Sequence, residues 1–226
     1  MNTSIKLNWF DWFLILGVVA TSAIISVTGE GWDTLGFAVA LTGIINLVLC
    51  AKGNLLNYAF GIVYNAIYVY IAYSSALYAD AATYLLYYLP MQFIGWFQWK
   101  KNRSEESGAV KARHLSRKQA LAVAAILAVT IPLLGYILSL PSIGDAQPYK
   151  DAATTVASFM AMFLMVKAFA EQWYIWIALD AIQVVKWSVA TVNGEAHAAM
   201  MLIMFAFYTA NAIYGFILWQ RLSKNS

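Results

Sequence analysis

The chain has 226 residues, of which 62% are hydrophobic and only 11% charged. Its mean hydropathy is +0.66, whereas a soluble domain carries about 25% charged residues. This excludes a soluble globular enzyme and a disordered chain, and the net charge of +3 is no argument for nucleic acid because the basic residues follow membrane topology. Cys50 is the only cysteine, so an internal disulfide is excluded.

Eight apolar segments approach or exceed the roughly 17–25 residues of a spanning helix. They cover residues 10–27, 33–51, 55–73, 81–99, 119–140, 152–170, 173–192 and 196–219. The predicted fold is an all-α integral membrane protein forming one membrane domain over residues 1–226. Segment 10–27 reads as an extra N-terminal anchor helix outside the core, with a cleaved signal peptide as the competing reading. Segment 33–51 carries Asn46 near its middle. In segment 55–73, Asn57, Gly61, Tyr64, Asn65 and Tyr68 share an arc of about 100°. In segment 81–99, Tyr84, Tyr88, Gln92, Gly95 and Trp99 share roughly 80°. Pro90 lies beside that face, where it removes a backbone donor, predicts a kink and frees carbonyls near Leu86. Pro132 predicts a bend in segment 119–140.

Segment 173–192 is the most unusual. It is long enough to cross a bilayer yet carries Asp180, Gln183 and Lys186. Trp173, Trp176, Asp180, Gln183, Trp187 and Thr191 fall within about 80° of arc. Asp or Lys at the centre of a spanning helix costs about 2.5–3.5 kcal/mol, so such residues face a cavity or a partner. In segment 196–219, Tyr208, Asn211, Gly215 and Trp219 form a similar stripe. Trp99, Trp173 and Trp219, near span ends, suit interfacial belts, and Gly95 and Gly215 suit close helix approach. Asp180 and Lys186 sit about 120° apart, a poor geometry for direct pairing, which places Lys186 off this wall. His197 is expected at the interface and His114 in solvent.

Charge sets the orientation. With a cytoplasmic N-terminus and eight spans, twelve of the fourteen basic residues fall inside and Lys150 alone falls outside. Both termini are then cytoplasmic. A shift of 120 residues lays 33–100 on 153–220, aligning Tyr88 with Tyr208 and Gly95-x-x-x-Trp99 with Gly215-x-x-x-Trp219. That predicts two parallel three-helix units, 33–100 and 152–220, joined by linker helix 119–140.

The expected binding set is Asn57, Tyr64, Tyr88, Gln92, Trp96, Trp173, Trp176, Asp180, Gln183 and Asn211. Aromatic faces, one carboxylate and several amides suit a flat cationic ring bearing hydroxyls. Lys186 is the only basic group inside a span, which disfavours a phosphorylated ligand. No cofactor or metal is expected. An enzyme lacks a nucleophile–base pair or a metal motif, and a retinal-type pigment lacks a counter-ion near Lys186.

Short strings in order then resemble a known family: Asn57-Tyr58-Ala59-Phe60-Gly61, Leu77-Tyr78-Ala79, Gly95-Trp96-Phe97-Gln98-Trp99 and Glu171-Gln172-Trp173-Tyr174-Ile175-Trp176, followed by Asp180. Over 33–219 the chain resembles the nicotinamide riboside transporters of the PnuC family. Asn57, Trp173 and Trp176 match motif positions, while Tyr64, Tyr88, Gln183 and Asn211 come from facing and depth alone. The resemblance implies facilitated-diffusion uptake of nicotinamide riboside across the bacterial inner membrane, feeding NAD synthesis. It further implies alternating access, a three-plus-one-plus-three core similar to that of the SWEET transporters, and a homotrimer. The alternative is a SWEET-like facilitator of a sugar or of another vitamin such as thiamine.

Overall fold

The computed structural model describes residues 6–28, 33–145, 147–194 and 198–224. The helices, in chain order, are α1 (Trp9–Thr28), α2 (Thr34–Ala51), α3 (Asn57–Ser74), α4 (Tyr78–Thr83), α5 (Leu89–Lys101), α6 (Arg117–Leu138), α7 (Pro148–Val166), α8 (Gln172–Val192) and α9 (Ala198–Lys224). A π-helical turn, Tyr84–Tyr88, joins α4 to α5. These three pieces run on as one rod, giving eight rods that match the eight apolar segments.

Local signals fix the ends. Asp33 caps α2 by accepting from the Gly36 amide, and Ser116 with Gln119 forms a capping box on α6. Helix α2 ends at Gly53 with φ +64, and α7 ends at Ala168 with φ +57. Glycine enters the left-handed region freely, whereas alanine there costs about 1 kcal/mol. Ala168 is held by its neighbours: its amide donates to Met165 O and its carbonyl accepts from Arg113 N. Lys52, Gly53 and Asn54 form a turn in which the Asn54 side chain accepts from Leu56 N.

Six helices close a ring. α2 packs on α3, α3 on α5, α5 on α7, α7 on α8, α8 on α9, and α9 back on α2. α1 lies outside against α2 and α9, and α6 lies outside against α7. Five helices, α1, α2, α6, α8 and α9, are long and apolar enough to cross a membrane by length and composition. Large apolar side chains such as Leu121 and Val129 on α6 and Val185 on α8 stand exposed, as a bilayer-facing surface requires.

The N-terminal helix is fastened rather than appended. Leu14 and Val18 are buried, and Asp11, fully buried, pairs with Lys52 at 2.8 Å. Lys52 also lies over the Tyr214 ring, and Tyr214 accepts from Asn8 Nδ2 at 2.8 Å.

Trp99, Trp173 and Trp219, expected in interfacial belts, are instead core residues with at most 2% of their surface exposed. Trp219 packs against both Trp99 and Trp173, with centroids at 5.5 and 6.0 Å. The physical reason is at the helix ends, where the last carbonyls lack intrahelical donors. Trp219 Nε1 donates to Cys50 O on α2 and Trp99 Nε1 to Met165 O on α7, each at 3.0 Å. Gly95 and Gly215 do serve close approach. A Cβ on Gly95 would meet the Tyr58 ring at 2.2 Å, and one on Gly215 would meet Trp173 at 2.5 Å.

Segment 102–115 is a strap rather than a free loop. Val110 N donates to Gly53 O, Lys111 N to Asn102 O, and Arg113 N to Ala168 O. His114, expected to be solvated, remains half-exposed but contacts Glu171 Oε1 and Ser223 Oγ, each at 2.9 Å. His197 lies outside the described residues.

Candidate functional site

The ring of six helices encloses a cavity of about 580 Å³, within the roughly 300–1,000 Å³ typical of small-molecule sites. Helix α2 contributes Gly43 and Asn46, and α3 contributes Tyr64, Asn65 and Tyr68. The α4–α5 rod contributes Asp80, Thr83, Tyr84, Tyr88 and Gln92. From α7 come Thr154, Thr155, Ser158 and Phe159; from α8, Trp173, Trp176, Asp180 and Gln183; from α9, Tyr208 and Asn211.

Of the ten expected binding residues, Tyr64, Tyr88, Gln92, Trp173, Trp176, Asp180, Gln183 and Asn211 line this one cavity. Asn57 and Trp96 do not. Asn57 is buried at the first turn of α3, where its side chain donates to Asn54 O and its carbonyl accepts from Asn46 Nδ2 at 2.6 Å. Its contact with the cavity is indirect, through Asn46, which does reach it. Trp96 is partly buried against the core cluster around Trp99 and Tyr58, one helical turn beyond Gln92.

The π turn explains how the α4–α5 rod presents two tyrosines. Pro90 has no amide hydrogen, so regular α bonding fails upstream. Leu89 N bonds to Tyr84 O instead, five residues back. Such turns are rare and frequent at functional sites. Here the turn lies where Tyr84 and Tyr88 face the cavity. Tyr84 packs tilted against Tyr68, with centroids at 4.1 Å, and Tyr88 lies 4.8 Å from Tyr84. Tyr88 donates to Ser158 Oγ at 2.8 Å, tying this wall to α7.

The cavity has two carboxylates, Asp80 and Asp180, and no Lys, Arg or His among its described lining. Neither carboxylate forms an ion pair among the described residues. Lys186 is exposed on the outer face of α8, with its ammonium 4.9 Å from the Trp187 ring. It stands off the wall, as its helical phase predicts. Three buried polar atoms of the lining lack protein partners: Gln92 Oε1, Asn211 Oδ1 and Trp173 Nε1. They are two acceptors and one donor left without a protein partner. Gly61 lets Gln92 sit this close, since a Cβ there would meet Gln92 Oε1 at 2.3 Å.

Several lining residues fall outside the expected set. Asn65, Tyr68, Tyr84 and Tyr208 lie on the polar stripes seen in the sequence, and Asn46 is visible as a mid-span amide. For Thr154, Thr155, Ser158 and Phe159 no sequence signal exists, because Ser and Thr in spanning helices commonly bond their own backbone. Thr154 does so here, to Lys150 O. The strongest missed residue is Asp80, a carboxylate one position before the apolar segment 81–99 and so outside every predicted span.

Comparison with known proteins agrees with this architecture. The family model described as nicotinamide mononucleotide transporter matches residues 33–221. The chain is 34% identical to the nicotinamide riboside transporter PnuC of Neisseria mucosa, over 94% of this chain and 81% of that one. It is 30% identical to the nicotinamide riboside transporter PnuC of Haemophilus influenzae, over 95% of this chain and 90% of that one. It also resembles a solved structure, the crystal structure of the vitamin B3 transporter PnuC, with TM-score 0.77 and 32% identity over 97% of this chain and 94% of the other. The chain belongs to the nicotinamide mononucleotide transporter family and is a multi-pass membrane transporter rather than an enzyme.

Proposed function

We propose that the chain carries nicotinamide riboside across the bacterial inner membrane by facilitated diffusion, supplying NAD synthesis. The observation that carries this reading is the charge of the cavity: two carboxylates, many aromatic faces and unpartnered amide oxygens, with no cation in the described lining. Nicotinamide riboside has a flat pyridinium ring, a carboxamide and ribose hydroxyls. The ring suits Trp173, Trp176 and the tyrosines, with each favourable cation–aromatic contact worth about 0.5–2 kcal/mol. Asp180 balances its charge. Gln92, Gln183, Asn211 and Asn46 suit the carboxamide and hydroxyls.

The family description names a mononucleotide, whereas the PnuC relatives are named for the riboside. Cavity chemistry favours the riboside. A phosphate would meet Asp80 and Asp180 without an Arg or Lys to pair with it.

The path we favour has eight spans, both termini cytoplasmic, and two parallel three-helix units rocking about the cavity. Paired contacts support the two units. Tyr58 fills the notch at Gly95, and Trp173 fills the notch at Gly215. Gly53 and Ala168 share the left-handed helix end, and the strap bonds to the carbonyl of each. Residues 58 and 173, and 53 and 168, are 115 apart, whereas 95 and 215 are 120 apart. The equivalence is therefore better drawn with a shift of 115 over the first two helices of each unit and 120 over the last. Cys50, Met165 and Trp173 form one end of the cavity above the Trp99–Trp219 plug, and Asp80, Thr83 and Thr154 form the other. That arrangement suits a site closed toward the basic loops and reached from the opposite side. We include a homotrimer in this reading, on the resemblance alone.

Proteoliposomes test the function. Labelled nicotinamide riboside should equilibrate without an ion gradient, and the mononucleotide should stay outside. Accumulation driven by a proton gradient would sink the facilitated mechanism, and entry of the mononucleotide would sink the substrate assignment.

A further inference from the structure

A second cavity, of about 540 Å³, lies at the end of the molecule carrying the basic loops. It is bounded by the ends of α5, α7 and α9 and by the strap, and is separate from the site above. Its lining includes Lys111, Arg113, His114 and Lys167, and no Asp or Glu. We infer that this cavity is a binding site for a phosphate-bearing anion, coordinated by Lys111, Arg113 and Lys167.

The cationic groups are organised rather than scattered. Arg113 is set by its backbone, which donates to Ala168 O and accepts from Ala170 N. Its Nε donates to Lys167 O at 3.0 Å, and its guanidinium stacks 4.2 Å from the Phe169 ring. The other guanidinium N–H groups have the fork geometry that phosphate accepts. Lys111, Arg113 and Lys167 have no ion-pair partner among the described residues. Glu171, outside the lining, is held by the lining residue His114 and by Leu115 N, and pairs with none of these three cations. Ordinary positive-inside residues need only lie in a loop. These three surround a concave space built from the ends of three helices.

Phosphate chemistry has two sources here, a soluble phosphate ester and an anionic lipid headgroup, and the experiment separates them. The full chain is placed in nanodiscs of phosphatidylcholine, and its melting temperature is followed against inorganic phosphate and adenosine monophosphate. It is then placed in discs containing phosphatidylglycerol without added phosphate. A rise in the first arm identifies a soluble ligand, and a rise confined to the second identifies lipid. In either case the pair Lys111→Gln and Lys167→Gln should weaken the effect about tenfold or more, since charge-assisted hydrogen bonds are lost. The pair Lys100→Gln and Lys101→Gln, with the same charge change outside the cavity, should leave it within about twofold. If the first pair fails to fold, Lys111→Gln against Lys100→Gln gives the same comparison. No rise in either arm overturns the inference, and so does equal loss in both pairs.

Discussion

Replacing Asp180 by Asn removes one charge from the cavity while keeping shape and hydrogen-bonding capacity. A pyridinium ring held roughly 5 Å from the carboxylate gains about 3 kcal/mol at an effective dielectric of about 20. Asp180 is half-buried in a polar cavity, so solvent screening reduces this to about 1.5–2 kcal/mol. The expected result is affinity for nicotinamide riboside lowered about 10–30-fold. The control ligand is the reduced riboside, whose dihydropyridine ring is neutral but whose ribose and carboxamide are the same. Its affinity should change by less than about threefold, because no full charge is lost. Calorimetry on wild type and D180N with both ligands gives the four values. Equal loss for both ligands would show that Asp180 acts through shape or hydrogen bonding, and no loss for either would remove it from the site. Both outcomes refute the electrostatic reasoning.

Other substitutions probe the scaffold. Gly215→Ala places a methyl 2.5 Å from the Trp173 ring; overpacking of this kind costs about 1–3 kcal/mol, and binding measured by calorimetry should weaken as Trp173 shifts. Trp219→Phe removes the indole donor from Cys50 O, which keeps Gly53 N as a partner, and loss of that hydrogen bond should lower stability by about 0.5–1.5 kcal/mol in chemical denaturation. Lys52→Met strands the fully buried Asp11 and should cost about 3–5 kcal/mol, with Asp11→Asn added to Lys52→Met recovering much of the lost melting temperature. Lys186→Gln, on the outer face of α8, should leave riboside uptake in proteoliposomes unchanged.

The fold was legible because hydropathy and length carry it. Segment 33–51 becomes α2 at Thr34–Ala51, and 119–140 becomes α6 at Arg117–Leu138. Polar stripes likewise located most of the cavity, since a carboxylate or amide in an apolar span has few places to face. The three misplaced tryptophans show the limit. A Trp one turn from a span end looks the same in sequence whether its N–H meets headgroups or, as for Trp99 and Trp219, the carbonyl of another helix, and Trp173 is buried instead by packing on Trp219 and Gly215. Asn57 shares the correct helix face, but facing does not give depth; Trp96 lies off the stripe of its own helix, and neither residue lines the cavity. The Asp11–Lys52 pair joins helices with no shared periodicity, so nothing local announces it. The π turn follows from Pro90 in direction, a disturbance just upstream, but not in type.

The most direct measurement is calorimetric titration of the purified chain with nicotinamide riboside and, separately, with nicotinamide mononucleotide. A cavity with two carboxylates and no lining cation among its described residues should bind the riboside and reject the mononucleotide by about tenfold or more. Equal or tighter binding of the mononucleotide, or no binding of the riboside, would contradict the assignment of this cavity as the substrate site.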